Sequence, residues 1–458
     1  MRSKWEIVMG QIKKRSVQMD MLHGSLAGKM ILFSLPLALS SILQQLFNSA
    51  DVAVVGRFAG SQALAAVGAN VANVGIFVNL LVGCSTGPNV VIANLIGQGK
   101  KEEVSDVVHT IVAFSIVGGL GLMILGLILS GPMLVWTGTP TDVLTTAKLY
   151  FRVYLLGIPA IMMYNFCSAI LRSVGDTNRP LYCMLVSGVV NVLLNLVFVI
   201  VYHMGVLGVA LATVLSNFLS AGFMIWILMH EDEMIRLELS KIKIHKQHLI
   251  RMLHVGMPAG LQSMVFSLSN IFVQTGINSF GALAIAGSSA ALNFEYFTFN
   301  ISSAFAQGAV TFSSQNYGAG YYDRCKKIFW IAMLEGMGFT AALSLIFTIW
   351  ARPFVSLYTV DEAVILFALT RMYRVMSLEA LTETYEVAAA SLRSMGYAMV
   401  PAILTVIGTV GFRMLWLCTI FQRFHTFETL MLVYPISWIF TACMVISAYF
   451  ILREKRGL

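Results

Sequence analysis

Apolar runs of about 20 or more residues recur along the chain, separated by short polar or charged breaks. A helix rises about 1.5 Å per residue, so each run is long enough to cross the roughly 30 Å hydrocarbon core of a bilayer. The pattern predicts twelve helical spans, at 29–53, 62–95, 106–131, 145–172, 179–202, 206–229, 252–278, 283–315, 327–350, 364–393, 398–421 and 427–452. The period-two alternation of an outer-membrane barrel is missing. Residues 1–28 contain no apolar run followed by a small-residue cleavage site, so no removable signal peptide is expected there.

The spans fall into two copies of one pattern. "AILRSVGDTNRPL" at 169–181 matches "ASLRSMGYAMVPA" at 390–402, which places Arg172 opposite Arg393. "FRV" at 151–153 recurs as "YRV" at 373–375, Pro36 pairs with Pro258, and "GQGKK" at 97–101 pairs with "GAGYY" at 318–322. All four correspondences share an offset of 221 or 222 positions. Six spans per copy is an even number, so the copies are parallel repeats related by an axis along the membrane normal. Two such bundles enclose a central cleft and can rock against each other. The expected fold is therefore an all-α integral membrane protein, with twelve transmembrane helices in two pseudo-symmetric six-helix bundles. The expected boundaries are an N-terminal segment at 1–28, an N-lobe at 29–229, a linker at 230–250, a C-lobe at 251–452 and a tail at 453–458.

Composition agrees with this picture. Hydrophobic residues make up 58% of the chain and charged residues 11%, where soluble chains carry about a quarter charged. Mean hydropathy is +0.79. The net charge of +8 is a topology signal rather than a nucleic-acid footprint. With the N-terminus inside, most of the 30 Lys and Arg residues fall on the inner side, so both termini are expected in the cytoplasm. The six cysteines are dispersed without a CxxC, so neither metal nor redox chemistry is expected. His245 and His248 sit in a charged loop, where solvated histidine is the ordinary reading. The 26 Met suit a deformable pocket and ordinary membrane packing equally well.

Polar residues inside spans turn toward protein or water, so their helical phase carries information. Ser34, Ser41, Gln44, Asn48 and Asp51 fall within an arc of about 100° on the first span. Ser263, Ser267, Asn270, Gln274 and Asn278 form a similar stripe on the seventh. Ser41 corresponds to Ser263, and Asn48 to Asn270, under the repeat. The stripes read as two walls of one hydrated cavity, with helix–helix hydrogen bonding as the alternative. Asp51 has no acidic counterpart, because Val273 stands at the matching place, and no Lys or Arg lies within a turn of it. Its charge is tolerated when the cavity is wet and opposed when the cavity closes, which is the coupling an ion-driven transporter needs. The competing reading is an Asp near enough to the outer surface to be hydrated. Glu295 lies in the eighth span, and Glu379, Glu383 and Glu386 share one face of the tenth, with Arg371, Arg374 and Arg393 on the same helix. A structural ion-pair network competes with a functional role for those acids. Asn191 and Asn195 lie one turn apart on the fifth span, and Thr213 sits in the sixth.

Soluble catalytic patterns are missing: the chain has no GxxxxGK[ST], no GxSxG and no HExxH. An enzyme is not expected, nor is an ATP-driven pump on this chain alone. A channel fits a twofold repeat poorly.

In their order, these features resemble the MATE (multidrug and toxic compound extrusion) family, in its bacterial DinF-like or MepA-like branch. The resemblance covers about 25–455 and rests on "QQLFNSADVAVVGR", "LRSVGDTNRP", "NVLLN", "GVLGVALATVLS" and "QNYGAG". It implies export of small amphipathic, often cationic organic compounds across the cell membrane, driven by inward protons or sodium, with no cofactor and with a monomer sufficient. Asp51 matches the family's first-span acid, and Asn191 and Thr213 match positions around its N-lobe cation site. At Asn195 many relatives carry Asp. Losing that carboxylate weakens a sodium site and leaves a proton route through Asp51, so any metal role is limited to sodium at Asp51. The seventh-span Glu of the NorM-like branch is absent, with Gln262 nearest to it. Glu379 and Glu383 carry over by region. Gln44, Asn48, Asn165, Gln262, Asn270, Gln274, Glu295, Glu379 and Glu383 are the expected substrate-cavity residues. A lipid-linked saccharide flippase of the same superfamily is the alternative, although such proteins place several basic residues in the cavity.

Overall fold

The computed structural model describes residues 19–455. Residues 1–18 of the expected N-terminal segment and 456–458 of the expected tail lie outside the described residues. The first half comprises α1 (Ala27–Phe58), α2 (Ser61–Cys84), α3 (Thr86–Gly97), α4 (Lys101–Trp136), α5 (Thr141–Leu155), α6 (Ile158–Ser173), α7 (Asn178–Leu196) and α8 (Gly205–Met229). The second comprises α9 (Lys246–Asn278), α10 (Ala282–Gly318), α11 (Tyr322–Ile349), α12 (Ala351–Ser356), α13 (Glu362–Arg374), α14 (Thr382–Ser394), α15 (Met399–Thr405), α16 (Phe412–Cys418), α17 (Ile420–Arg423) and α18 (Phe427–Lys455). Among the described residues there is no strand.

Eight continuous stretches are long and apolar enough to cross a membrane, and the pair α5–α6, bent by 43°, makes a ninth. The remaining three helical passages are α9, α10 and the broken pass α13–α14. The first two fall short of the same apolarity because of the Ser, Asn and Gln they carry, whereas α13 and α14, at 13 residues each, are singly too short to cross.

Several expected single spans are interrupted. The 145–172 span breaks at Leu156–Gly157, because Pro159 has no N–H to continue the hydrogen-bond ladder and its ring crowds the preceding turn. The 62–95 span stays one stretch but carries a single turn residue at Ser85, just before Gly87 and Pro88. The 364–393 span passes through a 3₁₀ stretch at Met376–Leu381, so Glu379 leaves the α-helical face it was expected to share with Glu383 and Glu386. Neither Gly nor Pro marks that break in the sequence. A 3₁₀ turn has three residues per turn rather than 3.6, which rotates every later side chain relative to an unbroken helix.

The two large apolar cores divide mainly along the repeat, but α1 and α9 each contribute to both, and Val90 of α3 packs in the second. Val54 and Val55 at the far end of α1 belong to the first core, whereas Met30, Phe33, Leu37 and Ala38 at its start belong to the second. The helix α9 does the reverse: Met252 packs in the first core, Val273 and Ile277 in the second. The crossing helices contain Pro36 and Pro258 respectively.

The closest backbone approaches between the halves cluster around glycines. A Cβ on Gly83 would come within 2.6 Å of the Ala259 carbonyl, and one on Gly87 within 2.2 Å of the Met252 carbonyl. Gly256 meets the Cys84 carbonyl at 2.4 Å in the same sense, and Gly260 meets Cys84 Sγ. Glycines four positions apart, Gly83 and Gly87 across the α2–α3 junction and Gly256 and Gly260 on α9, let the backbones approach, which is how helices gain packing contact where lipid removes the hydrophobic driving force. Further along, Gly97 faces the Gln315 carbonyl while Gly318 faces the Asn94 carbonyl. Asn89 Nδ2 donates to Thr311 Oγ1 at 2.9 Å, a pair separated by the repeat offset of 222. Reciprocal contacts between equivalent residues locate the pseudo-twofold axis. Toward the other end, Gly60, Gly68 and Gly75 have nothing within 4 Å of an added Cβ. The halves also meet where Asn79 Nδ2 donates to Ser267 Oγ at 2.7 Å.

Candidate functional site

Both crossing helices show two differently solvated faces. On α1 the exposed Leu32, Leu35, Leu39 and Leu46 form an apolar stripe, while exposed Gln44 and Asn48 lie on roughly the opposite side. On α9, exposed Leu261 and Phe272 oppose exposed Asn270 and Asn278. The Ser267 bond to Asn79 shows that the polar face of α9 turns toward the first half.

Asp51 lies near the far end of α1 and is 8% exposed. Its carboxyl meets two side chains, one from each of two other helices, and a third side chain joins those two. Asn195 Nδ2 donates to Asp51 Oδ1 and, at 3.4 Å, to Asn191 Oδ1. Thr213 Oγ1 lies 3.4 Å from Asp51 Oδ2 and donates to the Val209 carbonyl at 3.0 Å, and Asn191 Nδ2 donates to Thr213 Oγ1 at 3.4 Å. Asn191 and Asn195 sit one turn apart on α7 and Thr213 on α8, so the three converge where α7 and α8 pack on α1. The four residues expected to form a cation site are thus gathered in one cluster. Among the described residues no Lys or Arg forms an ion pair with Asp51, and Asn195 Oδ1 is buried without a hydrogen-bond partner.

The proton inventory of this cluster is informative. Thr213 has a single hydroxyl proton, and its closer acceptor is Val209. With that proton on Val209, the hydroxyl oxygen can accept from a protonated Asp51. With the proton turned toward Asp51, the same contact serves a carboxylate. Tyr150 and Tyr154 of α5 lie within electrostatic reach of Asp51. Neither was singled out by the helical phase of the polar residues.

The expected cavity residues divide. Gln44, Asn48 and Asn270 are exposed, and Gln274 binds Asn278 along its own helix at 2.9 Å. Asn165 is bound back to the Ile161 carbonyl at 2.8 Å. Gln262 is buried and accepts from Arg393 Nη2 at 2.9 Å. Glu295 is held by a fork from Arg371, with Nε to Oε1 at 2.6 Å and Nη2 to Oε2 at 2.7 Å. Arg371 also donates to Ser288 Oγ at 2.6 Å. Glu379 accepts from Thr298 Oγ1. Glu383 is fully buried against Gly336, and neither of its carboxyl oxygens has a partner. These acids form a set of their own in the second half, apart from the Asp51 cluster. Arg371 as the Glu295 partner, and Arg413 donating to Asn270 at 2.9 Å, were not expected from the helical phase of the polar residues.

A profile of the MatE family matches residues 36–197 and again 258–417, two blocks that open on Pro36 and Pro258. The chain belongs to the MatE family. It is accordingly a multi-pass membrane protein and a secondary transporter rather than an enzyme. Among relatives of this MatE chain, the probable multidrug resistance protein YoeA of Bacillus subtilis (strain 168) is 24% identical over 391 residues, covering 83% of this chain and 84% of YoeA. The probable multidrug resistance protein NorM of Thermotoga maritima is 27% identical over 345 residues, covering 74% and 73%. An outward-facing multidrug resistance MATE transporter of the MOP superfamily superposes with a TM-score of 0.87 at 21% identity, covering 96% of this chain and 99% of that one. That likeness is one of fold.

Proposed function

We propose that the protein is a cation-coupled exporter of amphipathic, often cationic organic compounds, working by alternating access of its two halves in the bacterial cell membrane. Resistance to several drugs is what the names of YoeA and NorM carry, and export is carried in that of another relative, the multidrug export protein MepA of Staphylococcus aureus. The basic residues toward the inner loops favour cytoplasmic termini. On that topology the glycine-packed end faces the cytoplasm and the open cleft faces outward.

The observation that carries the coupling is the Asp51 cluster: one buried carboxyl without a basic partner, set in contacts that serve either protonation state. Asn191, Asn195 and Thr213 position it. Protons are favoured over sodium because Asp51 is the single carboxylate there, and hard cations take charged oxygen ligands. Proton uptake from outside removes a charge and so eases closure of the cleft around a dry carboxyl. Release to the cytoplasm resets the protein. Gln44, Asn48, Asn270 and Gln274 then contact the substrate in the cleft.

Purified protein in liposomes, loaded with a cationic dye and given separate pH and sodium gradients, tests this. Efflux should follow the pH gradient, and Asp51→Asn should abolish it while the protein melts as before. Full efflux in that variant rejects the mechanism.

A further inference from the structure

Arg413 on α16 is 1% exposed. Its Nη1 donates to Asn270 Oδ1 at 2.9 Å and its Nε to Ser437 Oγ at 3.3 Å, while Nη2 has no partner. The guanidinium stands 4.6 Å from the centroid of Tyr434 and 5.1 Å from that of Phe266. Among the described residues no carboxylate pairs with it. Its neighbour over the same Tyr434 ring, Arg371, has the full fork to Glu295. A cation withdrawn from water without a counter-ion is costly, and an amide, a hydroxyl and two ring faces return only part of that cost.

Asn270 separates this cation from the cleft. It is exposed, and it lies one turn beyond Ser267, whose hydroxyl meets Asn79 of the other half. The residues of α9 exposed to lipid, Leu261 and Phe272, point roughly the opposite way. The guanidinium is thus one amide side chain away from the cleft.

We propose that Arg413 recognises the carboxylate of an amphipathic organic substrate entering the cleft, with Asn270 as a cover that the carboxylate displaces. One carboxylate oxygen replaces the amide oxygen on Nη1 and the other reaches the unpartnered Nη2. This is the forked pairing that a guanidinium supports and an ammonium does not. Phe266 and Tyr434 present ring surface beside the apolar body of the ligand. The inference rests on the cleft of the proposed transporter but requires no ion gradient.

Equilibrium binding of pyrenebutyrate, and of pyrenebutyl-trimethylammonium as its cationic match, to the purified full-length protein in detergent tests it by fluorescence anisotropy. Arg413→Gln should weaken the carboxylate relative to the ammonium about tenfold or more, and Arg413→Lys should fall between. Asn270→Ala, which removes the competing amide, should tighten the carboxylate several-fold. Unchanged carboxylate affinity in Arg413→Gln overturns the proposal. So does displacement by phosphatidylglycerol alone with no pyrenebutyrate binding. If Arg413→Gln does not fold, as judged by its melting, Arg413→Lys and Asn270→Ala decide, and unchanged affinity in both is equally fatal. Loss of gradient-driven efflux from liposomes with this selectivity intact would refute the transport mechanism and leave the subsite standing.

Discussion

At the scale of single residues, buried charge decides most of what can be tested. Glu295 and Arg371 are joined by two hydrogen bonds in the interior of the second half. Removing one partner leaves the other as a buried, uncompensated charge, at a cost of about 3–5 kcal/mol. Arg371→Leu should therefore lower the melting temperature sharply, and Glu295→Gln with Arg371→Leu together should recover much of it; differential scanning fluorimetry compares the three. Asp176 shows the same logic at a helix start. Its Oδ1 accepts from the backbone N–H of Asn178 at 3.0 Å and Arg179 at 3.1 Å, and Oδ2 accepts from the Arg179 side chain, which also reaches Glu231. Asp176→Ala removes both the cap and the pair. The loss of the cap alone amounts to about 1 kcal/mol, so the variant should unfold at a lower temperature than Asp176→Asn, which keeps an acceptor.

At the scale of elements, the contacts between halves depend on what glycine lacks. A Cβ on Gly97 would lie 2.0 Å from the Gln315 carbonyl, and one on Gly318 would lie 2.2 Å from the Asn94 carbonyl, both backbone atoms that cannot step aside. Gly97→Ala or Gly318→Ala should hold the α3 and α10 ends apart. Each half keeps its own core, so melting should change little. Efflux should fall, and a water-soluble maleimide should label a cysteine placed at Asn89 faster than in the parent. The left-handed turns serve a different purpose. Gly175 at φ 90° and Gly396 at φ 89° end the two copies of the "LRS" motif, a conformation that a side chain opposes.

At the scale of the whole molecule, the repeat becomes a mechanical axis. Asn89 and Thr311 are equivalent positions that touch each other, so any rocking of the halves away from this arrangement must separate them. A disulfide between Asn89→Cys and Thr311→Cys should stop dye efflux when oxidised and release it on reduction. Efflux that continues through the cross-link would mean that the halves do not part at this end. The leading segments add a tie across the axis. The Met21 carbonyl accepts from Asn316 Nδ2 at 3.0 Å in the second half, and the segment before α9 is bound to α4 by Glu238 N–H on His109 and His245 N–H on Thr110. Each half is thus steadied by chain that leads into the other.

The sequence by itself determined the class of the protein, the repeat and the isolated acid Asp51 on the polar stripe of α1; Asn191 and Thr213 were joined to it only through the family resemblance. Hydropathy is a local property summed over about 20 residues, equivalent positions recur at a constant offset, and helical phase survives over a few turns of α1. It did not determine where the spans break, because the 3₁₀ stretch at Met376–Leu381 has neither Gly nor Pro to announce it. Nor could it say which acid meets which base. Arg371 was visible as a helix neighbour of Glu379 and Glu383, yet it reaches across to Glu295, 76 positions away. The pairing of Arg413 with Asn270, and the reciprocal meeting of Gly97 and Gly318 across the axis, likewise depend on how distant helices are brought side by side. Only the tertiary structure decided those contacts, because the energy of a buried charge or a helix crossing depends on its neighbours in space, and sequence order does not record them.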